Sequence, residues 1–260
     1  MLAKQMVWLF GGLLLTSTVA LPAHERIVDT QRQPYNLADG LLRGWPKPGE
    51  WVTYHVTVQP PGDVDGPADQ VRFIMQAELI PIRVGEDVAV NLHWLEITFR
   101  EDARSPPIYV IKLLVDRTKA KPAEWNLAQQ KLVGWERRGD AEPTLFGEET
   151  IKASEMLQTF ILPMDGKWEK LAPADVPYKS GKLRCDQFRR TLREDEGEAV
   201  FVSQFNAAIP FGCVRLTGEM EANGRFDFHL ADDGTGARSD LPDKDYQALA
   251  ADLAAEDAAK

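Results

Sequence analysis

The sequence predicts an α+β protein that is mainly β, built on an open, curved antiparallel sheet or half-barrel with two covering helices and a C-terminal helical tail. Two observations lead to this fold class. Apolar residues recur at every second position over residues 51–115 and again over 182–230, which is the period of β-strands. Between these regions, apolar residues recur at mostly helical spacing. An antiparallel sheet with helices on one face accommodates both patterns.

The first four strands are predicted over Trp51–Gln59, Val71–Ile80, Val88–Arg100 and Ile108–Val115. The first alternates cleanly between apolar and polar residues, and a Pro-Pro-Gly turn ends it because proline cannot continue a hydrogen-bonded ladder. The third and fourth are apolar on both faces, which is typical of central strands that are covered on both sides.

Helices are predicted next, over Lys121–Arg138 and Glu148–Ile161. Each has one apolar stripe that a sheet face could cover. Pro122 lies near the start of the first, and Gly134 interrupts it, so this helix is expected to be irregular.

The last third returns to strands, predicted over Lys182–Leu192, Ala199–Asn206, Cys213–Glu221 and Arg225–Leu230. A two-residue Asn-Gly loop in the final hairpin would mix apolar and charged residues on one face. A three-residue loop, Ala222–Gly224, separates them and uses glycine where a positive φ is needed. It pairs Met220 with Phe226, Gly218 with Phe228 and Leu216 with Leu230.

Two cysteines, Cys185 and Cys213, fall on the polar sides of their predicted strands. Thiols that face the same way on neighbouring strands can form a disulfide, and closing this loop would stabilise the fold by about 3 kcal/mol in the chain-entropy model. The sequence therefore predicts a disulfide across the outer face of the sheet. The alternative is a pair of buried free thiols.

The N-terminus has the order of a secretory signal, with Lys4 followed by the uncharged, mostly apolar Met6–Val19 and then small residues. Cleavage after Ala20 or Ala23 is expected, and the alternative is an uncleaved anchor. The apolar run is shorter than the roughly 20 residues of a membrane-spanning helix, which favours cleavage. The protein is thus predicted to be exported to the periplasm or the extracellular space, without an integral membrane span after cleavage.

The expected organisation is a signal peptide over residues 1–23, a flexible segment over 24–44, a single β-rich domain over 45–231, and an acidic linker with a helical tail over 232–260. The formal net charge is −10. No basic stripe interleaved with aromatic residues offsets this charge, so nucleic acid is not an expected partner.

Catalytic and metal-binding motifs are not found in the sequence: it has no G-x-S-x-G, glycine-rich phosphate loop, H-E-x-x-H or C-x-x-C. The four histidines are His24, His55, His93 and His229. The last three lie on different predicted strands and could converge on a metal, but histidines that only satisfy hydrogen bonds are the favoured interpretation. No catalytic residue, metal site or cofactor is predicted.

Two stretches resemble known proteins. The segment Val200–Leu216, with its Pro-Phe-Gly corner, and the opening Trp45–Tyr54 are similar to exported bacterial proteins of unknown function. Some of these are similar to the lipoprotein-carrier fold, a strongly curved antiparallel sheet closed by helices that holds a lipid or acyl chain. The resemblance implies a non-catalytic carrier and no catalytic residues.

The leading hypothesis is an exported, non-catalytic protein that binds a lipid or acyl chain, or an envelope partner, in the cavity of its sheet. The ligand-binding candidates are aromatic residues, which would otherwise belong to an ordinary core. They are Trp94, Phe201, Phe205, Phe226 and Phe228.

Two alternatives remain open. The first is a structural or interaction module of an envelope assembly that uses the acidic tail as its contact. The second is an unrecognised hydrolase, which would require His55, His93 or His229 to meet carboxylates in a pocket.

Overall fold

The computed structural model describes residues 46–59, 71–84, 87–116, 134–142, 144–146, 168–194, 197–220, 224–239 and 241. All regular secondary structure among these residues is β-strand, in eleven segments. In chain order they are β1 Glu50–Gln59, β2 Val71–Val84, β3 Asp87–Arg100, β4 Tyr109–Asp116, β5 Gly134–Arg138, β6 Thr144–Phe146, β7 Trp168–Tyr178, β8 Gly181–Glu194, β9 Gly197–Phe205, β10 Cys213–Met220 and β11 Gly224–Thr235.

The described strands form one antiparallel sheet in the order β6-β5-β4-β3-β2-β1-β11-β10-β9-β8-β7. From β1 at the centre, the described strands follow one another outward to β6 at one edge. Strand β7 lies at the other edge, and β8 to β11 return strand by strand to the centre. The first and last strands therefore lie side by side, with Glu50 opposite Thr235 and Gln59 opposite Arg225. The predicted open antiparallel sheet is confirmed.

All eight predicted strands are present, because their period-two patterns are long and strong. The largest difference in bounds is in β11, which continues past the predicted end at Leu230 to Thr235. The strand thus takes up the start of the segment that was predicted to be a linker.

The helix predicted over Lys121–Arg138 is wrong at its C-terminal end. Gly134–Arg138 is strand β5, which pairs with β4 from Tyr109 to Leu113. Tertiary pairing overrides helix propensity here, and Gly134 had already weakened the helical pattern. The remainder of this helix, the helix over Glu148–Ile161, the tail beyond Leu241 and the N-terminal segments over residues 1–44 lie outside the described residues.

Strand β7 was not predicted, and its sequence contains Pro173 and Pro177. Proline is confined to edge strands and bulges, since it cannot donate a hydrogen bond to the ladder. Both conditions hold: β7 is an edge strand, and its register with β8 shifts between Leu171 and Ala174.

One side of the sheet, here called the core face, is the side that carries Val52, Tyr54, Val56 and Val58 of β1, all buried. The register extends this face outward in both directions. Tyr54 is opposite Met75 of β2 and Leu230 of β11. Because side chains alternate along a strand, these pairings assign every second residue of each strand to the core face.

Both sides of the sheet are covered at β3 and β4. Residues 93–99 and 109–113 are all buried, although alternate residues point to opposite sides. The prediction that strands apolar on both faces are central and doubly covered is confirmed for this pair.

The β10–β11 hairpin has a three-residue loop, but it lies one residue earlier than predicted. Met220 pairs with Gly224 and Gly218 with Phe226, so the register differs by two residues. A shift of two leaves the paired side chains from Arg215 to Met220 on their predicted faces, because the side-chain period is two. Cys213, predicted on the polar face, is an exception: it pairs with Phe205 beyond a register shift and lies in the core. Gly224 has a φ of 88°, which is the left-handed conformation that the sequence assigned to it.

The β7–β8 hairpin bends back toward the centre of the sheet. Four strand spacings separate β7 from β11, or about 19 Å in a flat sheet. Nevertheless Tyr178 donates a hydrogen bond to Asp233, and Lys179 Nζ lies 2.9 Å from Asp232 and 3.1 Å from Asp233. This end of the sheet is therefore strongly curved.

The hairpin register generates a prediction at Gly218, which lies directly under the ring of Phe226. A Cβ atom at position 218 would overlap that ring. Gly218→Ala should therefore displace Phe226 and lower the free energy of unfolding by roughly 1–3 kcal/mol, measured by urea denaturation.

The control is the double-mutant cycle with Phe226→Ala. Without the ring, Gly218→Ala should have almost no further effect, so the two changes should be strongly non-additive. Additive losses would contradict the contact.

Candidate functional site

Five phenylalanines lie together on the core face of β8, β9 and β11. We call this group the phenylalanine face; its members are Phe188, Phe201, Phe205, Phe226 and Phe228. They lie together because register aligns them. Phe201 pairs with Gly218, which pairs with Phe226 on the next strand. Gly218 has no side chain, so the rings on either side of it meet.

The rings pack in tilted and edge-on geometries. Ring centroids are 6.0 Å apart for Phe201 and Phe226, and 5.5 Å apart for Phe226 and Phe228 in a T-shaped arrangement. Phe188 and Phe205 are likewise 6.0 Å apart. These are the separations at which aromatic pairs attract beyond simple area burial.

The five phenylalanines differ in solvent exposure. Phe201, Phe205 and Phe228 are buried, whereas Phe188 and Phe226 are half-buried. Large half-buried aromatic rings that adjoin a buried apolar surface are the usual lining of a ligand site. The four phenylalanines predicted as ligand-binding candidates all belong to this face.

Trp94 does not belong to it. It pairs with Ile80 and Leu114, which puts it on the side of the sheet opposite the core face. The structure therefore does not bring the five predicted aromatic residues into one site. The pattern of β3, apolar on both sides, gave no means of assigning Trp94 to one face.

Two polar side chains are enclosed in the phenylalanine face, and sequence reasoning missed both. Arg190 pairs with Phe201, and Ser203 pairs with Phe188 and Leu216. Arg190 and Ser203 are both 0% exposed. In the sequence, Phe188 and Leu192 indicate that the even-numbered residues of β8 lie on its apolar side. An arginine at position 190 departs from this pattern, so the sequence contained a signal for this residue.

The hydroxyl of Ser203 has no hydrogen-bond partner among the described residues. A buried hydroxyl without a partner loses its hydration and gains nothing in return, at a cost of roughly 1–3 kcal/mol. Such groups are uncommon in folded proteins and indicate strain or function.

An exposed cation borders the same face. Lys170 Nζ lies 5.8 Å from the centroid of the Phe188 ring and 3.3 Å from Asp186. Its charge is largely in water and already has a carboxylate neighbour, so it contributes little to the electrostatics of the buried surface.

A second polar group lies on the opposite face. Glu78, Glu96 and Lys112 occupy neighbouring register positions on β2, β3 and β4 and are 6%, 1% and 2% exposed. The chain after β11 crosses this group: Lys112 Nζ donates to Ser239 Oγ at 2.7 Å, and Ser239 Oγ donates to Glu96 Oε2 at 2.5 Å. Leu241, which follows, is buried.

The interactions of this second polar group account for its burial. Two carboxylates directly opposite each other repel, and Lys112 supplies a positive charge 3.8 Å from Glu96. Lys112 also lies 5.5 Å from the centre of the Trp94 ring, in cation–π geometry. The group thereby holds Ser239 and the buried Leu241 against the sheet.

The predicted disulfide is not present. Cys185 and Cys213 are both buried free thiols. Cys185 is on β8 and Cys213 on β10, and β9 lies between them, with Phe205 opposite both Cys213 and Asp186. Two strand spacings are about 9.5 Å, beyond the reach of a disulfide. The sequence predicted this strand, over Ala199–Asn206, but not its position between the two strands that carry the cysteines.

Burial raises the pKa of Cys185 to about 11, with smaller contributions from Asp175 and Asp186. Its thiol is therefore protonated at neutral pH. Near Cys213, the Tyr54 hydroxyl donates to the Cys213 carbonyl oxygen at 3.0 Å, and burial raises the Tyr54 pKa well above its usual value. Cys185 therefore lacks the electropositive surroundings that lower the pKa of a nucleophilic thiol.

The histidines do not converge. His55 and His229 are opposite each other on β1 and β11, whereas His93 is buried on the core face. His229 Nε2 lies 3.4 Å from the carbonyl oxygen of Pro177. His24 lies outside the described residues. This scatter weighs against the hydrolase hypothesis.

The comparison with solved structures found a weak likeness. No protein-family model matches the chain, and no curated protein matches it. The structure is similar to that of a Bacteroides fragilis protein with a YmcC-like fold that is thought to be exported. The identity is 9% and the TM-score 0.34, over 75% of this chain and 100% of that one. The weak resemblance to an exported bacterial protein is thus confirmed.

The part of the chain that the structure describes contains no helix with the length and apolar character needed to cross a membrane.

The free thiols predict slow alkylation of the native protein. Because the pKa of Cys185 is raised to about 11, its thiolate fraction at mildly alkaline pH should be about a hundredfold below that of an ordinary thiol. Iodoacetamide should therefore add little mass to the native protein and two adducts after unfolding in guanidinium without reductant. Unfolded protein that gains no adduct until it is reduced would contradict the free-thiol state.

The charged group on the opposite face predicts a large effect of Lys112→Met. The variant keeps the volume of the side chain and leaves Glu78 and Glu96 buried without that cation. The free energy of unfolding should fall by roughly 3–5 kcal/mol, measured by urea denaturation. Lys170→Met removes an exposed ion pair and should change stability little. Equal effects of the two variants would contradict this account.

Proposed function

We propose that this protein is exported and binds an apolar ligand, a lipid or acyl chain, on the phenylalanine face without catalysing a reaction. The observation that carries the proposal is the half-buried state of Phe188 and Phe226. These rings adjoin three buried ones, so a ligand that covers them extends an apolar surface that already exists.

The physical gain from such binding is burial of apolar area. Covering a phenylalanine side chain completely is worth roughly 1.5–3 kcal/mol. Two half-covered rings therefore provide enough free energy for an acyl chain to prefer this surface to water. The aromatic rings are rigid, so the entropy lost when they are covered is small.

Export is supported by the N-terminal order of charge, apolar run and small residues. A carrier between membranes needs a surface that takes up an apolar molecule and shields it from water. The curved end of the sheet at β7–β8, adjacent to the phenylalanine face, supports this interpretation.

The test uses the full mature chain, purified from its native compartment without detergent. Native mass spectrometry, followed by organic extraction, should find a lipid or acyl chain, or the stripped protein should bind dodecanol. Phe226→Ala should weaken dodecanol binding roughly tenfold, because it removes one aromatic contact.

Ile108→Ala is the matched control, because Ile108 is also a half-buried apolar residue packed against the core, near β4. It should leave affinity unchanged. Protein that carries no lipid and binds no dodecanol would refute the proposal, as would equal losses in both variants.

A further inference from the structure

We infer that the ligand of the phenylalanine face is a long-chain fatty acid, whose carboxylate is bound by Arg190 and Ser203. This inference rests on the proposed function and adds the chemical class of the ligand. The observation behind it is that a buried guanidinium and a buried hydroxyl without a partner among the described residues are diagonal neighbours on the phenylalanine face.

Register defines the position of these two groups. Arg190 and Phe201 form one cross-strand pair, and Phe188 and Ser203 form the next pair on the same face. Arg190 and Ser203 are thus diagonal neighbours, with Cβ atoms about 7–8 Å apart. An arginine side chain spans that distance, so its guanidinium and the serine hydroxyl can contact one small group together.

The hydroxyl of Ser203 is the group that indicates a ligand. This hydroxyl is completely buried and has no partner among the described residues. A ligand oxygen that accepts its proton would restore the hydrogen bond lost on folding. An acyl chain without a polar head could not supply that oxygen.

Arg190 specifies the charge of the head group. Its guanidinium is 0% exposed and has five N–H donors in a planar fork, enough for more than one acceptor. The fork matches a carboxylate in bidentate geometry, and the hydrogen bonds are strong because both partners are charged. A neutral head group would gain much less from the same contacts.

Phe188 provides the route to the two groups. It pairs directly with Ser203, lies two residues before Arg190 on the same face, and is only half-buried. A carboxylate that enters beside this ring reaches the polar pair first. The chain of the ligand can then lie along Phe201, Phe226 and Phe228, which continue the surface across β9 and β11.

The first test compares ligands on the unmodified full chain, so it does not depend on a variant that folds. Isothermal titration calorimetry should show dodecanoate binding about 10- to 100-fold tighter than dodecanol, the range expected for hydrogen bonds between charged groups. Equal affinities would overturn this inference and leave the proposed function intact. Failure of both ligands to bind would overturn the proposed function itself. Tighter binding of dodecyl phosphate than of dodecanoate would overturn the assignment of a carboxylate.

The second test uses variants. Arg190→Met should abolish the preference for dodecanoate over dodecanol, whereas Lys170→Met, which removes an exposed cation on the same face, should preserve it. If Arg190→Met does not fold, Ser203→Ala takes its place. That variant should weaken dodecanoate binding several-fold and dodecanol binding less, because a charged acceptor makes the stronger hydrogen bond, while the ligand-free protein becomes equally or more resistant to urea. Ser203→Ala with unaltered dodecanoate affinity would contradict the role of the hydroxyl.

Discussion

The pairing of β1 with β11 is the constraint on which the rest of the structure depends. Each half of the sheet is assembled from strands that follow one another along the chain, and among the described strands this pair alone joins the halves. Its partners, such as Val56 and Phe228, are far apart in sequence. Trp51 reinforces the pair by donating from its indole nitrogen to the carbonyl oxygen of Thr235 at 3.1 Å. Without this pairing, the core face would be divided into two narrower surfaces.

The same register produces the candidate site. Because the core face is continuous from β2 through β1 to β9, the phenylalanines extend a buried apolar surface that the first half of the chain begins. Gly218 is essential to this arrangement, since any larger side chain would separate Phe201 from Phe226. The site is thus a consequence of alignment across three strands and has no compact sequence motif.

Both faces of the sheet enclose buried polar side chains. On the opposite face, Lys112, Glu96 and Ser239 satisfy one another and attach the segment after β11 to the sheet. On the phenylalanine face, a guanidinium lies beside a hydroxyl that has no partner among the described residues. Buried polar groups generally satisfy one another, as Lys112, Glu96 and Ser239 do. The Ser203 hydroxyl differs from this rule at the surface where a ligand is proposed.

The sequence by itself determined eight of the eleven described strands and most of the side chains that share a face. Both follow from local alternation, and the faces of the paired residues of β10 and β11 were correct even though their register was shifted by two residues. Only the tertiary structure decided which strands are neighbours. That order separates Cys185 from Cys213, places Trp94 opposite the phenylalanines, converts Gly134–Arg138 into a strand and allows the proline-containing β7 at an edge. Neighbour order depends on pairing between distant segments, and no local pattern in the chain encodes it.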